Sequence, residues 1–76
     1  MTRQELQQFF AKQIKRRMRA IGIDQREIAR RAGITEVSMS RYINGTRKPT
    51  YDIVIKIAQA LECSAGYLLD IDELLE

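Results

Sequence analysis

Between Asp24 and Asn44 the chain reads DQREIARRAGITEVSMSRYIN, and this stretch leaves the least freedom in how the whole can fold. Asp24 is a good N-cap, and Glu27 three residues later can complete a capping box. Ile28, Ala29 and Ala32 then recur at helical spacing. Gly33 supplies a left-handed residue that ends a helix without steric cost. Ile34 is expected to turn into the core, and Thr35 to cap a second helix. That helix runs to Asn44-Gly45, a strong turn signal. Small alanines on the first helix let the second cross it closely. The expectation is two short helices crossing at one glycine.

The other apolar residues arrange themselves around that pair. Thr2 and Glu5 form another capping box, which opens a long first helix. Leu6, Phe10, Ile14 and Ile21 mark one face of it, with Phe9 at the edge. Lys12, Lys15, Arg16 and Arg19 mark the opposite face. That stripe is either a solvated surface or a patch that speeds encounter with a polyanion. Gly22 closes the helix. After Asn44-Gly45 comes Thr46-Arg47-Lys48-Pro49, a basic loop; a proline sits well just ahead of a helix but not inside one. Thr50 caps a fourth helix striped by Val54, Ile57, Ala58 and Leu61. Glu62-Cys63-Ser64 breaks it, and Ser64 caps a short fifth helix holding Tyr67, Leu68 and Leu69.

Apolar alternation of the strand kind never persists. The reading is therefore all-α, five helices with short turns in a single domain over residues 1–76. The core is expected from Phe10, Ile14, Ile28, Ile34, Met39, Tyr42, Val54, Ile57, Leu61 and Leu68. Tyr51 and Tyr67, like Tyr42, fall at apolar helix positions and are expected to pack inward rather than to stack on bases.

Composition narrows the function classes. Residues 1–48 hold twelve Lys/Arg against four Asp/Glu, and residues 49–76 hold one against six. A basic half suits a polyanion, and an acidic end suits a different job. There is no histidine and one cysteine, Cys63. That excludes an intrachain disulfide and a structural zinc site, so no metal or cofactor is expected. Cys63 is expected to serve as a small apolar residue. No apolar run approaches the roughly 20 residues that span a bilayer. The N-terminus also lacks the order of a signal peptide. A cytoplasmic, nucleoid-associated protein is expected. No nucleophile–base pair, metal-ligand cluster or phosphate-binding glycine loop is present, so the chain is not read as an enzyme and no small-molecule ligand is expected.

Asp24–Asn44 has the sequence form of a helix-turn-helix. Together with the residues around it, the chain resembles the Cro/repressor (XRE-type) helix-turn-helix family. The resemblance is carried by Gln25, Ile28-Ala29, Gly33-Ile34-Thr35, Met39-Ser40, Asn44-Gly45, Arg47-Lys48-Pro49, Ile57-Ala58 and Ala60-Leu61, over about residues 12–69. It implies a compact, five-helix lambda-repressor-like domain with its helix-turn-helix at 25–44. It also implies operator binding on double-stranded DNA as a dimer, regulation of transcription, and a bacterial or phage source. Two departures stand out. Many relatives carry an Arg near the end of the first helix and a Glu before Asn-Gly. Met18 and Ile43 stand at those positions here, and they are expected to touch, with packing in place of an ion pair.

The recognition helix, 35–44, is expected to enter the major groove with its first turn on base edges. Glu36, Val37, Ser38 and Arg41 are the base-reading candidates. Arg41 can bond guanine bidentately, and Val37 can pack on a thymine methyl. Ser38 can bond a base or a phosphate. Glu36 can accept from cytosine N4 or simply complement the helix dipole. Gln25, Thr35, Asn44, Arg47 and Lys48 are the phosphate candidates. Thr35 and Asn44 also have local uses, as cap and as turn.

One such domain spans few base pairs, so two copies about 34 Å apart on an inverted repeat are expected. The acidic segment 64–76 is the candidate dimerisation segment, through Tyr67, Leu69, Ile71, Leu74 and Leu75. A second function stays open: an antitoxin-like interaction module that neutralises a partner protein through its tail and uses the helix-turn-helix only to regulate itself.

Overall fold

The computed structural model describes residues 2–69. They form α1 (Arg3–Ile21), α2 (Gln25–Ala32), α3 (Glu36–Ile43), α4 (Tyr51–Ala60) and α5 (Ala65–Leu69). This is the all-α, five-helix architecture that the sequence predicts. Each helix starts where a short polar side chain can take an orphan backbone N–H. Thr2, Asp24, Thr35 and Thr50 each accept from the residue three positions on. Ser64 accepts from the Tyr67 N–H at 2.9 Å.

The two predicted capping boxes differ. Thr2 and Glu5 bond each other's backbone in both directions. Asp24 accepts from the Glu27 N–H at 2.8 Å, but the Glu27 carboxylate does not return the bond. It turns along α2 to Arg30 at 2.6 Å and Arg31 at 2.9 Å. Two charged donors outcompete one neutral amide for a carboxylate.

The helix ends position the elements. Gly33 takes φ +71°, and the N–H groups of Gly33 and Ile34 bond back to Arg30 and Ala29. This Schellman closure turns α2 into α3 within three residues. The end of α4 closes in the same way, from Glu62 to Gln59 and from Cys63 to Ala58, with Glu62 in the left-handed conformation at φ 58°. Side chains from α1 and α2 then take carbonyls that α4 leaves open. Arg17 donates to Leu61 and Glu62 at 2.9 and 3.1 Å, and Arg31 donates to Ala60 at 3.3 Å. Gln13, buried on α1, donates to the Tyr67 carbonyl at 3.0 Å.

Ile14, Ile28, Met39, Ile57, Leu61 and Leu68 are fully buried and join the helices into one apolar cluster. Helix α1 packs on α3 and α5, while α2 packs on α3 and α4. Nine of the ten expected core residues are buried; Ile34 is the exception. It packs against the cluster but also lines an open depression with Ala29 and Glu36. Leu6 shares the apolar face of α1 yet is 54% exposed, because the described helices cover that face only from Phe10 onward. Ile43 is buried, Met18 is half-buried, and both belong to the same cluster. Tyr67 is half-buried against it. Tyr51 corrects the expectation: it is 79% exposed, not packed inward. It occupies the first position of α4, immediately after the Thr50 cap, where a side chain still points away from the bundle.

Candidate nucleic-acid interface

Helix α3 turns by about 100° per residue, so its buried positions determine its outer face. Met39, Tyr42 and Ile43 are buried. Glu36, Val37, Arg41 and Asn44 are exposed on the opposite side, and Ser40 is half-exposed among them. Thr35 fixes the start of the helix by accepting from the Ser38 N–H at 3.1 Å. Gln25 at the start of α2 donates its amide to the Glu36 carbonyl at 3.2 Å. That bond ties the first turns of both helices together. Gln25, Glu36, Val37, Ser40 and Arg41 consequently line one shallow depression.

The structure brings three of the four base-reading candidates, Glu36, Val37 and Arg41, into this depression. Ser38 sits half-buried and does not line it. Two turns of 100° carry it from Glu36 to the flank of α3, towards buried Tyr42. Ser40 is the residue that the sequence reading missed. It lies four positions after Glu36, on the same stripe, and its hydroxyl accepts from the Asn44 side-chain amide at 3.2 Å. The i, i+4 rule applied from Glu36 would have found it. Val37 is 64% exposed, an aliphatic side chain with nothing over it among the described residues.

The phosphate candidates surround this face. Asn44 caps the end of α3 and Thr35 its start. Arg47 and Lys48 follow in the loop between α3 and α4, both exposed. Among the described residues, Arg41, Arg47 and Lys48 make no ion pair, whereas Arg30 and Arg31 are taken up by Glu27 and Glu62. The Arg30 and Arg31 guanidiniums hold the Glu27 carboxyl down at about 2. Arg41, Arg47 and Lys48 thus keep their charge available at and just after α3, as the exposed Arg26 does on α2, whereas the other two cations of α2 are paired.

The remaining chemistry-bearing groups have other surroundings. Lys12, Lys15, Arg16 and Arg19 are all exposed along α1. Cys63 is half-buried; burial pushes its thiol up, opposed in part by the Arg17 charge, so it stays protonated near neutral pH. No group of His, Cys, Asp or Glu among the described residues is placed to hold a metal ion. No described helix is long and apolar enough to cross a membrane. Of the dimer candidates, Leu69 is 37% exposed at the end of α5 and Tyr67 leans on the core. Ile71, Leu74 and Leu75 lie outside the described residues.

A family model described as helix-turn-helix matches residues 14–68, well over half of the chain. Neither a curated protein nor a solved structure matches it.

Proposed function

The chain belongs to the Cro/XRE-type helix-turn-helix family, a family of DNA-binding regulators, and from that premise we propose that it is a sequence-specific transcriptional regulator of the phage-like repressor or Cro type. It acts in the cytoplasm, on the nucleoid, by binding rather than by catalysis. Helix α3 reads the major groove. The observation that carries this reading is the outer face of α3, where Glu36, Val37, Ser40 and Arg41 share one depression beside cations that pair with no acidic side chain among the described residues. A surface with unpaired guanidiniums and an uncovered valine suits a groove that offers phosphates, guanine acceptors and thymine methyls.

Arg41 bonds guanine O6 and N7, and Val37 packs on a thymine methyl. Glu36 accepts from cytosine N4, since its first-turn position aims it into the groove. Ser38, on the flank, reaches a base edge only at the rim or bonds the adjacent phosphate. Gln25, Thr35, Asn44, Arg47 and Lys48 hold the backbone on either side. Two copies bind an inverted repeat and associate through the 64–76 segment. The apolar residues of that segment support this reading, as does the small footprint of a single α3.

Selection of bound duplexes from a random pool tests the proposal. The expected product is an inverted repeat with half-sites about one helical turn apart. No enrichment at low salt would overturn the regulator reading. Enrichment of a single half-site would remove the dimer from it.

A further inference from the structure

The first turns of α1 precede the segment matched to the family, which begins at residue 14, and they make contacts that the DNA reading has not used. Gln7 and Gln8 are neighbours there, and both engage the chain that links α3 to α4. The Gln8 amide donates to the carbonyls of Asn44 and Gly45, at 3.5 and 3.4 Å. The Gln7 amide lies against two backbone donors, the N–H groups of Arg47 and Lys48. Two donors require its oxygen to face them, and in that orientation it accepts from both at 3.2 Å. Gly45 makes the approach possible. A Cβ at that position would stand 2.7 to 3.0 Å from the Gln8 amide, and its φ of +72° is left-handed. Adjacent glutamines thus grip the loop at both ends, by carbonyls at 44–45 and by N–H groups at 47–48.

We propose that Gln7 and Gln8 are positioning residues for DNA binding: they preset the 44–48 loop so that Arg47 and Lys48 meet phosphates without first being ordered. The inference rests on the DNA reading above. A loop with a glycine and exposed neighbours samples many conformations when nothing holds it, and ordering it at the moment of binding subtracts from affinity. Gln8 is exposed and Gln7 only half-buried, so neither adds much to the apolar core. Their contacts bear on loop shape. The loop carries cations aimed at a charged backbone, so the effect falls on affinity for any duplex rather than on choice of sequence.

The test uses the full chain, with Gln7→Ala/Gln8→Ala beside the single variants Gln7→Ala and Gln7→Glu. Amide hydrogen exchange of the unbound protein reads the loop. Titration of a selected and an unselected duplex at fixed salt reads affinity. The double variant is expected to lose protection at the Arg47 and Lys48 amides. It is expected to bind both duplexes about tenfold more weakly, because the loop that these four contacts order must then be ordered on binding, with its melting temperature little changed. Gln7→Glu keeps an acceptor and retains the protection that Gln7→Ala loses. Unchanged amides in the double variant would overturn the inference, as would exposed amides with affinity within twofold of the parent. A collapsed melting transition would make the two glutamines structural props and overturn it as well. If the parent chain binds no duplex, the DNA reading fails and takes this inference with it; if the parent binds and the double variant binds equally, only this inference fails.

Discussion

Arg41 and Lys48 are exposed cations on either side of the same helix end, and the proposed function gives them different work. Arg41 lines the α3 depression, where a guanidinium can make two bonds to one guanine. Arg41→Ala is expected to relax preference at one base pair, at a cost of about 1–3 kcal/mol. Lys48 belongs to the loop, where the proposed docking gives it only backbone charge to meet. Lys48→Ala is expected to weaken all duplexes alike and to flatten the salt dependence by about one ion. Binding titrations across salt and across single-base variants separate the two; identical behaviour would erase the division into reading and positioning residues. Met18 packs against the apolar cluster that contains Ile43, where a guanidinium in place of the thioether would lose apolar contacts and part of its hydration. Met18→Arg is therefore expected to lose about 1–3 kcal/mol in thermal melting. An unchanged melt would show that a long cation can escape to solvent from that position.

At the scale of elements, the caps were legible and the long-range uses of side chains were not. A cap needs only one residue type at one offset, so Thr2, Asp24, Thr35, Thr50 and Ser64 could be read from spacing alone. The role of Glu27 depended on which partner won, and the answer lay one turn further along α2. That choice has a pH signature. The folded carboxyl sits at about 2 against an ordinary 4.5, so the unfolded chain binds the proton first as pH falls. Stability from this group is present above about pH 4.5 and is lost on the way down to about 2. Glu27→Gln is expected to remove that part of the acid dependence, measured as denaturant midpoints between pH 2 and 5. A parallel curve for the variant would show that the Arg30 and Arg31 contacts do not persist in solution. The end of α4 offers a second test. Glu62 holds a left-handed backbone conformation where glycine is at ease, and it is compensated by an exposed pair with Arg31. Relief of that backbone is worth about 1 kcal/mol, and exposed pairs are typically worth less. Glu62→Gly is thus expected to raise the unfolding midpoint slightly; a lower midpoint would assign the greater weight to the carboxylate.

The whole molecule divides its charge as it divides its labour. Nearly all of the Lys and Arg residues lie on α1, α2, α3 and the loop after it, while most of the acidic residues gather in the last third of the chain. An acidic end is repelled by phosphates, which suits a segment that holds two copies together away from the duplex. Association through that segment predicts binding that steepens with protein concentration. Leu69→Asp, on the exposed end of α5, is expected to abolish that steepening while leaving half-site binding in place. Sedimentation of the parent and variant checks the same point without DNA, and equal mass for both would exclude Leu69 from any interface.

The amino-acid order alone determined the number of helices, their caps, the Gly33 hinge and nearly all of the core, because each rests on interactions within one or two turns of chain. Tertiary structure decided what depended on distant partners. It put Ser40 rather than Ser38 beside Glu36 and Arg41, since the face of α3 is defined by what packs behind it. It exposed Tyr51, because none of the described elements covers that side of the first turn of α4. It also brought Gln7 and Gln8 onto a loop some forty residues away, a meeting that no local spacing encodes, because it arises only when α1 packs against α3.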